Sequence, residues 1–346
     1  MSIIKRSRTG WLTAGAVAVG LVAPALPASA QETVTLRFGS AFSPMSINNR
    51  ESVPAFIAAV EAASEGTLKI EHYPGGSLVR SPVQQLSVVE SGVIDIAEVV
   101  VAYTPGRFPE MGLFELPFLA ESNVEAGLAA YKMYEKGHFA GLDDLILVGI
   151  IMTGPYGVAL TDPIENIDAL RGKRLRAAGP IQTEIVTRLG ATPVGNVAAP
   201  QIAENISRGL LEGALMAPGN LMNFRIADPA KHHLWQVPLG NVAVIFPMRR
   251  DTYEKLPPKA KAAFDMYAGE WFTRVLGEGL DKQAADTTAQ LRADPEHTVY
   301  EWSAEEMARV RTLLEPIATA YDVANDKGVN MYREMLAAFE EVRAAN

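Results

Sequence analysis

Residues 145–161 read LILVGIIMTGPYGVALT, and the fold turns on how this stretch divides. Leu145 to Met152 is an apolar run rich in β-branched residues, the composition of a strand buried on both faces. Gly154-Pro155-Tyr156-Gly157 breaks that pattern, since two glycines and a proline suit a hinge or turn, and Val158 to Thr161 resumes it. A break of this kind between two strands predicts a crossing from one domain to another. Each side of it is then expected to hold a sheet of its own.

Upstream, Thr33 to Phe38 alternates with period two and ends in Gly39-Ser40, which predicts a strand running into a loop. From Asn48 to Ser64 the apolar positions Val53, Phe56, Ile57, Val60 and Ala63 recur at helical spacing, and Gly66 closes the helix. A strand over Thr67 to Tyr73, a turn at Pro74-Gly75-Gly76, a helix over Pro82 to Ser91 and an apolar run over Ile94 to Val101 complete a β-α-β-α-β order. That alternation belongs to an α/β sheet covered by helices. A further helix is expected over Asn123 to Lys136.

Downstream, strands over Leu170 to Arg176, Thr192 to Val194 and Ala214 to Met216 alternate with helices over Pro180 to Leu189 and about Pro200 to Arg208, a second α/β unit. Val242 to Phe246 is one more strand, expected to return to the first sheet. Long helical patterns follow over Lys259 to Leu291, Ala304 to Ala320 and Val329 to Val342, expected to strap across both sheets. Ser303 with Glu306 has the spacing of a capping box, and Pro316 is expected to kink its helix.

The first thirty residues stand apart. Lys5, Arg6 and Arg8 precede an apolar run from Trp11 to Leu26, and Ala28-Ser29-Ala30 is a small-x-small site, the pattern of a secretory signal peptide cleaved before Gln31. The mature protein is therefore expected to be exported. With no cysteine in 346 residues, its stability must come from a core and not from disulfides. Removing Lys5, Arg6 and Arg8 takes the formal charge from −9 to −12, which argues against nucleic acid and anionic membrane as partners. An anion site on such a chain has to be built locally. The sequence has no Gly-x-Ser-x-Gly elbow and no phosphate-binding glycine loop, and neither a cofactor nor enzymatic turnover is expected. The pair His232-His233 reads as a surface pair at a strand start, and Glu278, Asp281 and Asp286 as a solvated helix face.

The local anion site has a candidate in residues 170–179, LRGKRLRAAG, which pack Arg171, Lys173, Arg174 and Arg176 into an otherwise acidic chain. With Arg174 toward solvent and Leu175 in the packing, Arg176 falls at the strand end, where the following Ala-Ala-Gly-Pro turn lets a ligand approach. A guanidinium there can hold both oxygens of one carboxylate. The alternative is a solvated basic edge strand, the reading preferred for Lys173 and Arg174.

Seven segments, in order, carry a resemblance: residues 73–78 (YPGGSL), 92–96 (GVIDI), 116–119 (LPFL), 170–176 (LRGKRLR), 190–194 (GATPV), 209–213 (GLLEG) and 253–257 (YEKLP), after the signal peptide. Together they resemble the DctP-like solute-binding proteins of tripartite ATP-independent periplasmic (TRAP) transporters. The resemblance implies a two-lobed α/β clamshell that closes on an organic acid and hands it to a membrane permease. It implies lobe I over 31–153 plus about 242–281, and lobe II over 154–241 plus about 282–346 with the C-terminal helices. It also puts the family's carboxylate-binding arginine on Arg176. Where many members carry Asp-Gly and then Asn or Trp, this chain has Glu212-Gly213 and an apolar wall at Met216; where sialic-acid-type members carry a second arginine, it offers Tyr156. Phe42 and Tyr103 are the candidates from lobe I. Each has a structural alternative: turn packing for Tyr156, core or rim for Phe42 and Tyr103, core filler for Met216. One charge clamp in apolar lining favours an apolar or aromatic monocarboxylate over a sugar acid. A monomer is the default. An exported enzyme, or a protein feeding an ATP-driven importer or a sensor kinase, is the competing reading on the same scaffold.

Overall fold

A computed structural model describes residues 1–2, 33–325 and 327–345; the expected signal peptide lies outside the described residues. The first half runs β1 (Val34–Gly39), α1 (Val53–Ala63), β2 (Leu68–Tyr73), α2 (Gln85–Glu90), β3 (Ile96–Ala97), β4 (Val99–Val100), α3 (Asn123–Glu135) and β5 (Leu145–Thr153). The second unit holds β6 (Gly157–Leu160), β7 (Arg174–Arg176), α4 (Pro180–Arg188), β8 (Thr192–Val194), α5 (Ile202–Ser207), β9 (Gly213–Met216), α6 (Asn220–Asn223) and β10 (His232–Leu234). Then follow β11 (Val242–Arg249), α7 (Arg250–Glu254), α8 (Pro258–Tyr267), α9 (Glu270–Ala293), β12 (Thr298–Tyr300), α10 (Ala304–Ala320) and α11 (Met331–Ala345).

Two six-stranded sheets result. The first has the order β2-β1-β3-β11-β4 with β5 also on β11, and the second the order β12-β10-β6-β9-β7-β8. β1 runs parallel to β2 and β3, whereas β11 is antiparallel to β3, β4 and β5. The chain leaves the first sheet after Thr153 and enters the second at Gly157, so the crossing falls where the Gly-Pro-Tyr-Gly break predicts it. It returns through 235–241, and the two crossings are tied by Tyr156 N–H to Gly240 O (2.8 Å) and Leu239 N–H to Tyr156 O (2.9 Å). Gly240 has φ +84°, and a Cβ there would lie 1.9 Å from the Glu115 carbonyl oxygen, so only glycine fits.

Several elements differ from the sequence expectations. The run over Ile94 to Val101 is two short strands interrupted at Glu98, whose side chain is drawn aside by Ser40 and Asn48. The helix expected over Lys259 to Leu291 is α8 and α9, divided at Gly269; its φ is +71°, and a Cβ would collide with the Tyr131 hydroxyl at 2.1 Å. Half of the capping box is present: Ser303 Oγ accepts from Glu306 N–H (3.2 Å), while the Glu306 carboxylate accepts from Ile167 N–H (3.0 Å) in another element. The tail also departs from the lobe II assignment at its end. α11 returns to the first unit, where Arg343 pairs with Glu125 on α3 and Glu341 with Lys136 (2.6 Å) just past its end. His233 is not on the surface: it is fully buried, stacked between Trp235 and His297, and burial pushes its imidazole down to about 3.

Candidate ligand site

Arg176 ends β7 with its side chain inside the protein, 1% exposed. Its Nε donates to the Val197 carbonyl (3.0 Å) and its Nη2 to the Tyr103 hydroxyl (3.3 Å), while its Nη1 is buried without a partner. Burial of a guanidinium N–H without an acceptor is costly, which marks Nη1 as a donor held ready for a ligand. Tyr103 Oη also accepts from Ala199 N–H (2.8 Å). Two donors already reach that oxygen, so its own proton is free for an acceptor beside the guanidinium.

The two other cations of this stretch are tied up at the surface. Arg174 pairs with Glu212 and Lys173 with Asp162 (2.6 Å), so Glu212 is an ion-pair partner on this strand's outer side. Behind Arg176 lies Glu115, 4% exposed, whose carboxyl reaches the start of α4 beside Gly179. Burial pushes it up to about 7, against the opposing pull of the Gln182 backbone N–H and the Arg176 charge.

Arg176 and Tyr103 line a cavity with about 50 Å³ of water-accessible volume. Tyr156 lines it too, with Oη 3.4 Å from Thr153 Oγ1; desolvation raises its phenol above the usual range, partly offset by Arg176. Phe42 and Phe224 meet edge to face across it, ring centroids 5.9 Å apart. Phe42 follows β1 and Phe224 follows α6, so the pair joins elements of the two sheets. Val100, Val242, Val244, Ile47 and Leu280 supply apolar lining, and Ser46, Asn48 and Glu98 a polar margin.

Of the five residues singled out from sequence, Arg176, Tyr156, Tyr103 and Phe42 line this one cavity. Met216 does not: it is buried in β9 opposite Gly157, and the residues just past it, Asn220, Asn223 and Phe224, take that part of the lining. Sequence reasoning missed Glu98, Asn48 and Phe224. Glu98 had a signal, a lone carboxylate inside the apolar run 96–101, which is informative because charges are seldom buried without purpose. Among the described residues no group of three or more His, Cys, Asp or Glu side chains is placed to hold a metal ion.

The family model for bacterial extracellular solute-binding proteins, family 7 (DctP), matches residues 43–323. The chain belongs to this family. The resemblance to TRAP solute-binding proteins read from the seven segments is thus borne out, and so is the two-lobed α/β clamshell. A curated relative, described as outer membrane transporter protein TsaT of Comamonas testosteroni, is 24% identical over 333 residues, 93% of this chain and 96% of the relative. Among solved structures, a marine metagenome TRAP solute-binding protein specific for aromatic acid ligands, in complex with 3-hydroxybenzoate, is similar with TM-score 0.83 and 25% identity, covering 90% of this chain and 99% of that one. A TRAP solute-binding protein from Rhodoferax ferrireducens, in complex with copurified benzoate, shares the fold with TM-score 0.82 and 24% identity over 90% of this chain and 99% of that one.

Proposed function

We propose that this DctP-family protein captures an aromatic monocarboxylate in the periplasm and delivers it to a TRAP-type membrane permease. The observation that carries the reading is the buried Arg176 with an unpartnered Nη1 on the wall of an otherwise largely apolar cavity. Nη1 and the Tyr103 hydroxyl proton together offer two donors to one carboxylate. A flat ring suits an apolar lining that includes Phe42 and Phe224, whereas a sugar acid would have to leave many hydroxyls without partners. The similarity to a solute-binding protein specific for aromatic acids supports the ligand class. Lobe I corresponds to the first sheet, lobe II to the second, and the protein acts as a monomer after loss of residues 1–30. The ligand touches both lobes only when they close, and so shifts the equilibrium toward the closed form.

The test is titration calorimetry of the mature protein with benzoate and 3-hydroxybenzoate against malate and gluconate. Aromatic acids bind, and Arg176→Ala lowers their affinity by on the order of 2–5 kcal/mol, the cost of removing one partner of a buried charge pair. Wild-type affinity in Arg176→Ala would remove the clamp; preference for malate or gluconate would remove the aromatic ligand.

A further inference from the structure

The carboxylate clamp uses one side of the cavity and leaves the polar margin on the first unit unexplained. Glu98, in the gap between β3 and β4, is 5% exposed and lines the cavity. Its Oε2 accepts from Ser40 Oγ (2.6 Å) and its Oε1 from Asn48 Nδ2 (2.8 Å). Both partners are neutral, and two donors leave roughly half of a carboxyl group's accepting capacity unused. Asn48 gives one of its two amide N–H groups to Glu98, and its Oδ1 is buried without a partner. Ser46 Oγ, two residues earlier and also lining the cavity, is buried without a partner as well.

The group is fixed from behind. Ser40 Oγ accepts from Phe42 N–H (3.1 Å) and from Asn49 Nδ2 (3.1 Å), so its single proton is committed to Glu98. Asn49 Oδ1 lies 3.0 Å from His72 Nε2, and Asn49 Nδ2 also reaches the Phe42 carbonyl (3.1 Å). The network that orients Glu98 therefore also holds the loop carrying Phe42, a ligand-facing ring. A side chain locked in this way presents its free lone pairs in one direction at little further entropic cost.

The unsatisfied atoms are thus sorted by need. On Arg176 the spare atom is a donor seeking an acceptor; on Asn48 Oδ1, and on Glu98 in its ionised form, which burial disfavours, the spare positions are acceptors seeking a donor; the Ser46 hydroxyl can serve as either. A simple apolar acid would satisfy only the first. We propose that Glu98, Asn48 and Ser46 form a second subsite that recognises a hydrogen-bond donor on the ligand's ring, so that the substrates are hydroxy- or amino-substituted aromatic carboxylates. A phenolic hydroxyl donates to Glu98 or Asn48 Oδ1 and accepts from Ser46 Oγ. The subsite rests on the aromatic-carboxylate reading above and deepens it.

The experiment compares isosteres by calorimetry: benzoate, 3- and 4-hydroxybenzoate, and 3- and 4-methylbenzoate, against wild type and Glu98→Gln. In wild type at least one hydroxybenzoate binds roughly ten- to a hundredfold more tightly than the methylbenzoate of the same substitution, the range for a hydrogen bond to a buried polar or charged group. Glu98→Gln places an amide N–H where an acceptor is needed and erases this preference, so that each hydroxybenzoate falls to the affinity of its methyl isostere. Equal wild-type affinity for both hydroxy and methyl isomers overturns the subsite, and so does an equal loss of all five ligands in Glu98→Gln. Failure of every aromatic acid to bind wild type overturns the parent reading and the subsite together, whereas benzoate binding without a hydroxyl preference overturns the subsite alone. Should Glu98→Gln not fold, Ser46→Ala carries the same comparison, with a reduced hydroxyl preference expected and an unchanged one counting against the proposal.

Discussion

Arg176 has a buried acid at its back and a cavity at its front, and the balance between them is measurable at one residue. Glu115 has its carboxyl raised from 4.5 to about 7, chiefly by desolvation, so the folded state holds its proton more tightly than the unfolded chain does. Its contribution to stability is complete below about pH 4.5, declines as pH rises, and is lost above the folded value near 7. The full swing is on the order of 3 kcal/mol for a shift of this size. Glu115→Gln, which is never charged, is therefore expected to match wild type in urea unfolding near pH 4.5 and to be about 1–3 kcal/mol more stable at pH 8. Destabilisation at pH 8 would mean that attraction to Arg176 outweighs desolvation. At this scale the sequence was informative where chemistry is concentrated. Arg176 stood out because a cation ended a short strand before a small-residue turn. Glu115 did not, because Leu113-Phe114-Glu115-Leu116 carries no sign of which side chain the fold turns inward. Met216 read as wall from the family's Asn or Trp position after Asp-Gly, but in β9 it turns into the packing and the lining falls to residues just past it.

Elements depend on partners far away in the chain, and α9 is the case that matters most. Phe272, Leu276, Leu280, Thr287 and Leu291 form its buried stripe at helical spacing. Asp281, beside that stripe, accepts from Asn123 N–H (2.7 Å) and Asn123 Nδ2 (2.6 Å) through Oδ1, and from Val124 N–H (3.1 Å) through Oδ2. It thereby caps α3, and is not the solvated residue that periodicity alone implied. Asn123 Oδ1 in turn accepts from Gly154 N–H (2.9 Å), so the cap reaches the crossing between the sheets. Periodicity identified the helix, but a capping bond spanning 158 residues is invisible to local pattern. Asp281→Ala leaves first-turn N–H groups of α3 unsatisfied and is expected to cost about 1–2 kcal/mol in urea unfolding at pH 7, with Asp281→Asn losing less because it keeps one acceptor. Equal stability of all three proteins would show that water replaces the cap.

For the molecule as a whole, the order of two α/β units was legible because each repeats strand and helix patterns and the Gly-Pro-Tyr-Gly break separates them. The sheet orders were not, since antiparallel insertion of β11 between β3 and β4 is set by long-range packing. That insertion brings Val242 and Val244 to the cavity floor, next to side chains from the second sheet. Arg176 and Ala199 both bond to Tyr103 across the division between the sheets. Such bonds exist only while the two units are together, so a ligand whose carboxylate joins this group favours the closed form by its differential affinity. Small-angle scattering of the mature protein is accordingly expected to show a smaller radius of gyration with saturating 3-hydroxybenzoate than without ligand. Arg176→Ala, at a concentration of the same ligand that saturates wild type but not the weakened site, is expected to keep the radius of its free form. A wild-type radius that does not change on ligand binding would mean that capture proceeds without closure, and the bonds to Tyr103 would then be permanent ties between the two sheets.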